Sequence, residues 1–559
     1  MEQLQTKSGP TTLLTLPLEI QSKIFSYLTA SYGKPNIQAV LRTCKQLYEV
    51  ALPLSVSVFR NAAPYPKDQG VCSRARNLQF LHYILVSKPW LARHVNTLIA
   101  GRFTSDGSDD DDGDNEDQRT ISENDLAIYR HLIEFSVGKF SALGPPREQG
   151  VSWSAGWVRD LSSSSDAQFA LILLTCPNIR TILMEICLYG IYTTHLLILL
   201  RQCWNGLADG KFPNNIIPLS NLQDFFQEAA KSSSNAKFFS PEASMLFCSP
   251  QLKVYECIGM EGSEEAIEHF SLAPRRSSSV EEITLYQSIF EADALFSILG
   301  ACKALKRFEV TCYSNTATDL LDAAAARDVL DAVLPHANML EHLSINLREV
   351  WRNNSVLKNT PERLYMGTRL REMHALKTLT AGMQALTGML AYSSTCDDIP
   401  LRFEEAPRLV DCLPDNLESL TIHACGPQIS DQLEELVEII AQGDRFKKLT
   451  YIVLLYHAWK VNTKGVPAHF NKMWESVRDK LAEKNRILLV HAGLQCEQAF
   501  LHDANSTWAD NSDRPGEMMS RIYAPNFRRL FLQRRMNPMC ADFEYLPPYG
   551  PYDPVLLAS

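Results

Sequence analysis

The apolar residues near the N-terminus are spaced as in an α-helix, and they occupy two sides of it. At about 100° per residue, one broad stripe contains Leu16, Ile20, Ile24, Tyr27 and Leu28. Leu18 and Phe25 fall together on roughly the opposite side. Pro17 stands where this helix would begin, a position that tolerates its missing N–H group. Because a helix with two apolar faces must be covered twice, we expect a partner to supply part of the cover.

A second helical pattern follows a turn. The segment SYGKPN at 31–36 is predicted to separate the two patterns, because Gly33, Pro35 and Asn36 disfavour continuation of the first helix. Beyond it, helical spacing connects Val40, Leu41, Cys44, Leu47 and Tyr48. Residues 1–60 are therefore interpreted as a small helical module, which would be only marginally stable alone.

The rest of the chain has short strand-like runs that alternate with helical stretches. Nine runs of the form apolar-x-x-apolar-x-apolar begin at Val95, Ile179, Leu252, Val280, Leu305, Leu340, Leu376, Leu417 and Leu449. Val280 follows Leu252 by 28 residues and Leu305 follows Val280 by 25, within the period of about 20–29 residues typical of leucine-rich repeats. The longer intervals require longer helices or inserted loops. The pattern predicts an α/β fold, either an irregular leucine-rich-repeat-like solenoid or a non-repetitive domain with buried strands.

Composition divides the chain after the module into three further parts. Residues 61–165 form a connecting region with strand and helix patterns and two polar loops, and residues 166–505 form the repeat-like array. The tail, 506–559, is rich in Pro, aromatic and Arg residues and has no clear period. One polar loop, DGSDDDDGDNED at 106–117, holds eight acidic residues. Its unbroken run of Asp does not fit a calcium-binding loop with spaced ligands, so we interpret it as a solvated, self-repelling loop.

The N-terminal block carries a family resemblance. LPLEIQSKIFSYL at 16–28, followed by VLRTCKQLYEVALP at 40–53, resembles an F-box, the helical module by which substrate receptors bind the Skp adaptor of cullin-RING ubiquitin ligases. The matching positions are Leu16, Pro17, Glu19, Ile20, Ile24, Phe25, Leu28, Val40, Cys44, Leu47 and Ala51. Leu47 stands where many F-boxes have Trp, and the Cys-Lys-x-Leu-Tyr form is similar to that of fungal members.

The resemblance implies a three-helix F-box module followed by an irregular leucine-rich-repeat-like α/β solenoid. It implies a substrate receptor of an SCF-type ligase, located in the cytoplasm, the nucleus or both, with an unknown protein as its target. The residues expected to form the adaptor-binding and core stripe are Leu16, Pro17, Ile20, Ile24, Leu28, Val40, Leu41, Cys44 and Leu47. The alternative is a binding scaffold without ligase function, in which the F-box-like helices only cap the solenoid.

Charge and composition exclude several other classes of protein. The content of apolar residues is 45% and that of charged residues 21%, as in ordinary globular proteins. The net charge is −10, and it falls to −2 when the eight acidic residues of 106–117 are left out, so we expect no nucleic-acid partner. Fourteen scattered cysteines without a Cys-x-x-Cys pair indicate reduced thiols. The N-terminus has no signal-peptide pattern.

The longest apolar segment, 182–200, is interpreted as a buried strand followed by a buried helix. It has about the length of a membrane span, but Glu185 and His195 lie inside it, and Gly190 divides it. Charged side chains are costly in the middle of a bilayer. We therefore expect no membrane partner.

The sequence contains none of the motifs that carry enzyme chemistry, so we expect a non-enzyme without cofactor or metal. Nucleophile elbows, phosphate-binding glycine loops and zinc spacings are absent. An enzyme hidden in the repeat region stays an alternative. His423 and His491 follow strand-like runs, and the pairs Glu264-Glu265 and Glu404-Glu405 are adjacent in sequence, which is typical of solvated surface. Three basic pairs are interpreted as surface charge, namely Arg275-Arg276 before Ser277–Ser279, Arg528-Arg529 and Arg534-Arg535.

Overall fold

The structure is a computed structural model. It describes residues 13–30, 34–61, 72–101, 121–141, 149–186, 194–208, 219–229, 245–247, 249–259, 261–262, 276–286, 288–311, 324–347, 360–389, 407–425, 429–456, 477, 480–481, 483 and 487–491. The described residues fall into two compact units, one ending at Leu222 and the other beginning at Gln223. Each unit is α/β. The acidic loop, the C-terminal tail and the glutamate pairs lie outside the described residues.

The first unit combines the N-terminal helices with short parallel strands. Its described α-helices are α1 Leu18–Ala30, α2 Lys34–Leu41, α3 Lys45–Val56, α4 Arg74–His82, α5 Glu123–Ser141, α6 Gln149–Asp160, α7 Ser165–Thr175 and α8 Thr194–Ala208. Its strands are β1 Val58–Asn61, β2 Thr97–Ala100 and β3 Thr181–Ile186. The strand β2 pairs in parallel with β1 on one side and with β3 on the other. The predicted apolar segment 182–200 thus contributes a strand and a helix, as expected.

The helices α1, α2 and α3 share a small hydrophobic core. The core side chains are Phe25, Ile37, Leu47 and Ala51, each at most 8% exposed. The second helical pattern is broken into two helices, because Cys44 has extended backbone angles (φ −157°, ψ 164°) at the start of α3. The prediction that the turn between the two helical patterns extends to residue 36 was wrong, since α2 begins at Lys34. Pro35 lies in the first helical turn, where proline is tolerated.

The three-helix module continues directly into the sheet of the first unit. Only Ser57 separates α3 from β1, so β1 crosses the predicted module boundary at residue 60. Leu52 and Val56 of α3 pack against Leu91, which is fully buried in the segment before β2. In β1 the buried Asn61 amide donates to the Asn77 side chain at 2.6 Å and to the Ser73 carbonyl at 2.9 Å. These contacts fix the module to the elements that follow it.

The second unit is built around a parallel sheet whose strands follow chain order. The described strands are β4 Asp224–Ala229, β5 Val254–Ile258, β6 Glu261–Gly262, β7 Glu282–Tyr286, β8 Ile289–Phe290, β9 Arg307–Thr311, β10 His342–Asn346, β11 Thr378–Gly382, β12 Ser419–Cys425, β13 Tyr451–Tyr456 and β14 Ile487–His491. The helices are α9 Ala292–Ala301, α10 Ala326–Val333, α11 Met383–Thr387, α12 Leu409–Cys412 and α13 Ile429–Gln442. The strands β6 and β8 pair with each other, and the others form one sheet.

One row of buried side chains keeps its register through the second unit. Residues paired across adjacent strands are Phe225, Tyr255, Ile283, Phe308, Leu343, Leu379, Leu420 and Ile452, and each is at most 1% exposed. All nine predicted strand runs are strands in the structure. The strand β4 was not predicted, because Gln227 occupies the third apolar position of its run. Gln227 is fully buried, and its Oε1 accepts a hydrogen bond from the Tyr255 hydroxyl at 3.2 Å.

Candidate functional site

Exposed apolar side chains are concentrated at the N-terminus of the first unit. Nine large apolar side chains are exposed in the described part of the chain, and five of them lie within residues 13–24. These five, which we call the docking patch, are Leu13, Leu14, Leu18, Ile20 and Ile24, with exposures of 37–58%. Scattered single apolar residues are normal on protein surfaces, so the concentration of five of them within residues 13–24 makes this segment a candidate interaction site.

The helix α1 places apolar side chains on opposite sides of its axis. Phe25 is 1% exposed and packs in the module core, whereas Ile24 is 38% and Ile20 45% exposed. Successive side chains on a helix are rotated by about 100°. When Phe25 points into the core, Ile20 and Ile24 therefore point away from it. The chain itself therefore buries Phe25 on one side of α1, whereas Ile20 and Ile24 on the other side stay exposed.

Two glutamines hold the segment before α1 against the module. The Gln21 side chain is fully buried, and its Nε2 donates to the Leu16 carbonyl at 2.7 Å. Gln46 of α3 donates from Nε2 to the Leu14 carbonyl at 3.1 Å. The 3-10 turn Leu13–Thr15 is thereby fixed to both α1 and α3, with Leu13 and Leu14 turned outward. Contacts within the module therefore hold the part of the docking patch that precedes α1 in place.

The structure places eight of the nine predicted adaptor-binding residues, and their environments differ. Pro17, Ile20, Ile24 and Cys44 are exposed, Leu16, Val40 and Leu41 are partly exposed, and Leu47 is buried in the core. The side chain of Leu28 lies outside the described residues. Leu13 and Leu14 were missed by sequence analysis because they precede the helical pattern. Leu18 was assigned to the side opposite the stripe, yet it has the highest exposure of the patch, 58%.

The second unit presents a polar surface on the face of its sheet opposite the buried row. We call it the open face; it carries the alternate residues of the strands, which are partly exposed in β7 and β9–β11. An ionic cluster lies at its middle: Glu309 is paired with Arg307 on the same strand, and its Oε1 is 2.9 Å from Nε2 of His342 on the next. Burial alone would raise the pKa of Glu309, but His342 and Arg307 outweigh it and lower the pKa to about 2. The cluster therefore holds an ionised carboxylate.

Next to the ionic cluster the open face is uncharged and rich in hydroxyl groups. Five residues of β10, β11 and β12, which we call the hydroxyl grid, occupy neighbouring positions: Ser344, Thr378, Thr380, Ser419 and Thr421. Thr380 is paired with Ser344 on one side and Thr421 on the other, and Thr378 is paired with Ser419. All five are partly exposed, and within the described part of the chain their hydroxyl groups have no hydrogen-bond partner.

One end of the hydroxyl grid is fixed by a histidine. His423 on β12 forms a hydrogen bond from Nε2 to the carbonyl of Ile345 at 2.8 Å, reaching across β11 to β10. Its ring lies over Gly382 of β11, where a Cβ atom would be 3.2 Å from Cε1 of His423. This distance is shorter than an ordinary van der Waals contact, so a side chain at 382 would require the ring to shift by a few tenths of an ångström. His423 thus has a structural role.

Reactive groups in the described residues are mostly buried. Burial raises the pKa of the Cys176, Cys203 and Cys257 thiols to about 12. Ser278, in the run Ser277–Ser279 that follows the basic pair Arg275-Arg276, is fully buried, and its hydroxyl donates to the Phe247 carbonyl at 2.7 Å. No group of three or more His, Cys, Asp or Glu side chains suited to a metal ion is found among the described residues.

Comparisons with known proteins do not assign this chain to a family. Neither the family models nor the curated proteins contain a match to this sequence. In the described part of the chain, no helix combines the length and apolar character needed to cross a membrane.

Proposed function

We propose that this protein is the substrate receptor of an SCF-type, cullin-RING ubiquitin ligase. In this proposal the docking patch binds the Skp adaptor, and the array of the second unit binds a target protein. The observation that carries the proposal is the set of five exposed apolar side chains on a module with its own core. It is supported by the F-box-like order of residues 16–53. Desolvated apolar anchors dominate the energy of protein interfaces.

The proposed mechanism is tethering, with no covalent chemistry on this chain. A receptor that holds a target near the charged ubiquitin-conjugating enzyme raises its effective concentration. Such a role requires that the adaptor-binding module be firmly connected to the rest of the receptor. The single-residue connection between α3 and β1, and the packing of Leu52 and Val56 on Leu91, meet this requirement within the first unit.

The alternative is a binding scaffold in which the N-terminal helices only cap the array. A cap buries its outward apolar residues against the layer that it covers. Ile20 and Ile24 remain 45% and 38% exposed, which favours a separate partner over a cap. The two proposals make different predictions for polar substitutions at these positions.

The first prediction concerns co-purification with the Skp adaptor. We expect the wild-type chain to bind the adaptor stoichiometrically and Ile20→Glu with Ile24→Glu to weaken it by at least about tenfold, since buried interface anchors each contribute about 2 kcal/mol or more. Both side chains are exposed, so the melting temperature of the variant should stay close to that of the wild type. A matched control is Phe296→Glu, which changes an apolar side chain of similar exposure (41%) on α9 of the second unit.

Two outcomes would contradict the proposal. Failure of the folded wild-type chain to bind the adaptor would favour the scaffold. A large loss of thermal stability in the doubly substituted chain would show that Ile20 and Ile24 act as a cap. Cys44 has an exposed thiol. If bound adaptor slows the alkylation of this thiol by an added reagent, that provides an independent measure of the same contact.

A further inference from the structure

The open face of the second unit has chemistry that points to the kind of target it binds. Arg307 is the only lysine or arginine on the described part of this face, and its guanidinium is paired with Glu309. Three further acidic side chains, Asp224, Glu256 and Glu282, lie on the same face and are partly exposed. A phosphate group carries a charge of about −1.5 to −2 and is bound by arginine clusters. The charges of this face therefore disfavour a phosphorylated target.

The hydroxyl grid is, by contrast, suited to uncharged hydrogen-bonding groups. Its five side chains each offer an O–H donor and oxygen acceptors. The nearest ionic group, Glu309, is already paired with Arg307 and His342. A charged partner side chain placed over the grid would lose its water without gaining an opposite charge, which is costly.

The spacing of the grid matches that of an extended polypeptide. Residues two apart on one strand, such as Thr378 and Thr380, are about 6.8 Å apart, and neighbouring strands lie about 4.8 Å apart. An extended peptide lying along the strands has the same repeat of about 6.8 Å. Its alternate side chains would therefore meet successive rows of hydroxyl groups without losing register.

We propose that the hydroxyl grid binds an extended, unphosphorylated polypeptide segment with Ser, Thr, Asn or Gln at alternating positions. This inference deepens the proposed function, because it rests on the array being the target-binding part of the receptor. In this inference the hydroxyl grid is the surface that contacts the target, and hydrogen bonds between uncharged groups select the target.

The test is selection of peptides from a random display library by the intact chain in the absence of adaptor. Peptides of roughly 12 residues are long enough to span the rows of the grid. We expect enriched peptides to carry uncharged polar residues at alternating positions. Their affinity should change by less than about twofold between roughly 0.05 and 0.5 M NaCl, because neutral contacts are not screened by salt. Phosphorylating their Ser or Thr residues should weaken binding by at least about tenfold.

Matched variants locate the binding surface. Thr380→Arg with Thr421→Arg should reduce peptide affinity by at least about tenfold, whereas Thr380→Ser keeps the hydroxyl and should retain binding. Thr284→Val removes a hydroxyl from the open face of β7, on the far side of Glu309 from the grid, and should leave binding unchanged. Thermal unfolding of each variant checks that it is folded.

Several results would overturn the inference: no enriched peptide, selection of acidic or phosphorylated peptides, steep weakening by salt, or equal binding by the arginine variant. Adaptor co-purification on the same preparations separates the two proposals. Adaptor binding without the expected peptide selectivity would refute the grid alone, whereas peptide selectivity without adaptor binding would refute the ligase role and leave a scaffold.

Discussion

At the scale of single residues, neighbours in sequence have opposite roles. Ile24 and Phe25 are adjacent apolar residues, yet Phe25 anchors the module core and Ile24 faces outward. Gln21, a polar residue within the same helix, is fully buried, and its amide nitrogen donates to the carbonyl of Leu16. Hydrophobicity alone therefore does not assign these side chains; the partner that each one meets does.

Asp166 illustrates a buried carboxyl group at a helix terminus. Its carboxylate is 2% exposed and accepts the backbone N–H groups of His195 at 2.7 Å and Leu196 at 3.0 Å, at the start of α8. We expect Asp166→Ala to lower the free energy of unfolding by about 2 kcal/mol or more, because two buried donors lose their acceptor. Chemical denaturation measures the change.

The control for this prediction is Asp431→Ala. Asp431 also lies in the first turn of a helix, α13, but it is exposed. Its loss should change the free energy of unfolding by no more than about 0.5 kcal/mol. Equal effects of the two substitutions would show that the buried carboxylate is not the stabilising group.

At the scale of elements, the positions before successive strands of the second unit alternate in charge. In the main sheet, from β5 to β12, these residues are Lys253, Glu281, Lys306, Glu341, Lys377 and Glu418. From Glu281 onward, the backbone N–H of each donates to the carbonyl oxygen of the residue before it in this series. Lys306 Nζ lies 2.7 Å from Glu281 Oε2, and Lys377 Nζ lies 2.9 Å from Glu341 Oε2. Opposite charges on neighbouring strands favour the observed register over a shifted pairing.

We expect Glu341→Lys to destabilise the second unit more than Glu341→Gln. The lysine would stand between Lys306 and Lys377, at a strand spacing of about 4.8 Å, whereas glutamine only removes an attraction. The difference in melting temperature between the two variants should narrow in roughly 0.5 M NaCl, because salt screens exposed charges. A salt-independent difference would indicate a steric cause.

At the scale of the whole molecule, buried histidines make stability depend on pH. Burial lowers the pKa of His336, whose Nε2 contacts the Leu299 carbonyl at 3.0 Å, and that of His195. In the unfolded chain a histidine has a pKa of about 6.5. Below that pH the unfolded chain binds protons that the folded chain does not, so acidification favours unfolding.

We therefore expect the melting temperature to fall as the pH decreases from about 7.5 to 5.5, across the histidine pKa of the unfolded chain. A second loss should follow at lower pH from Glu309, whose folded pKa of about 2 lies below the ordinary glutamate value. Its stabilising ionisation is present above that ordinary value and is lost towards pH 2. Replacing His336 with Phe should reduce the slope between pH 7.5 and 5.5. An unchanged slope would contradict the role of His336.

Much of the second unit could be predicted from its sequence because its signal is local and repeated. Leu305, just before β9, and Phe308 and Val310 within it mark a buried face over six residues, and the same spacing recurs at β10 and β11. The strand β4 was not predicted because Gln227 breaks the apolar pattern. The burial of Gln227 is explained by its hydrogen bond with the Tyr255 hydroxyl on the neighbouring strand. The break between α2 and α3 also depended on backbone geometry at Cys44.

The sequence by itself determined the helical module, the nine strand runs and their α/β character, because helix and strand periods are properties of neighbouring residues. Only the tertiary structure decided which side chains form surfaces. It turned Leu13, Leu14 and Leu18 outward, placed Leu47 in the core, and brought Ser344, Thr380 and Thr421 into one row. The physical reason is that exposure and lateral pairing depend on residues distant in sequence, and the chain must fold before those residues meet.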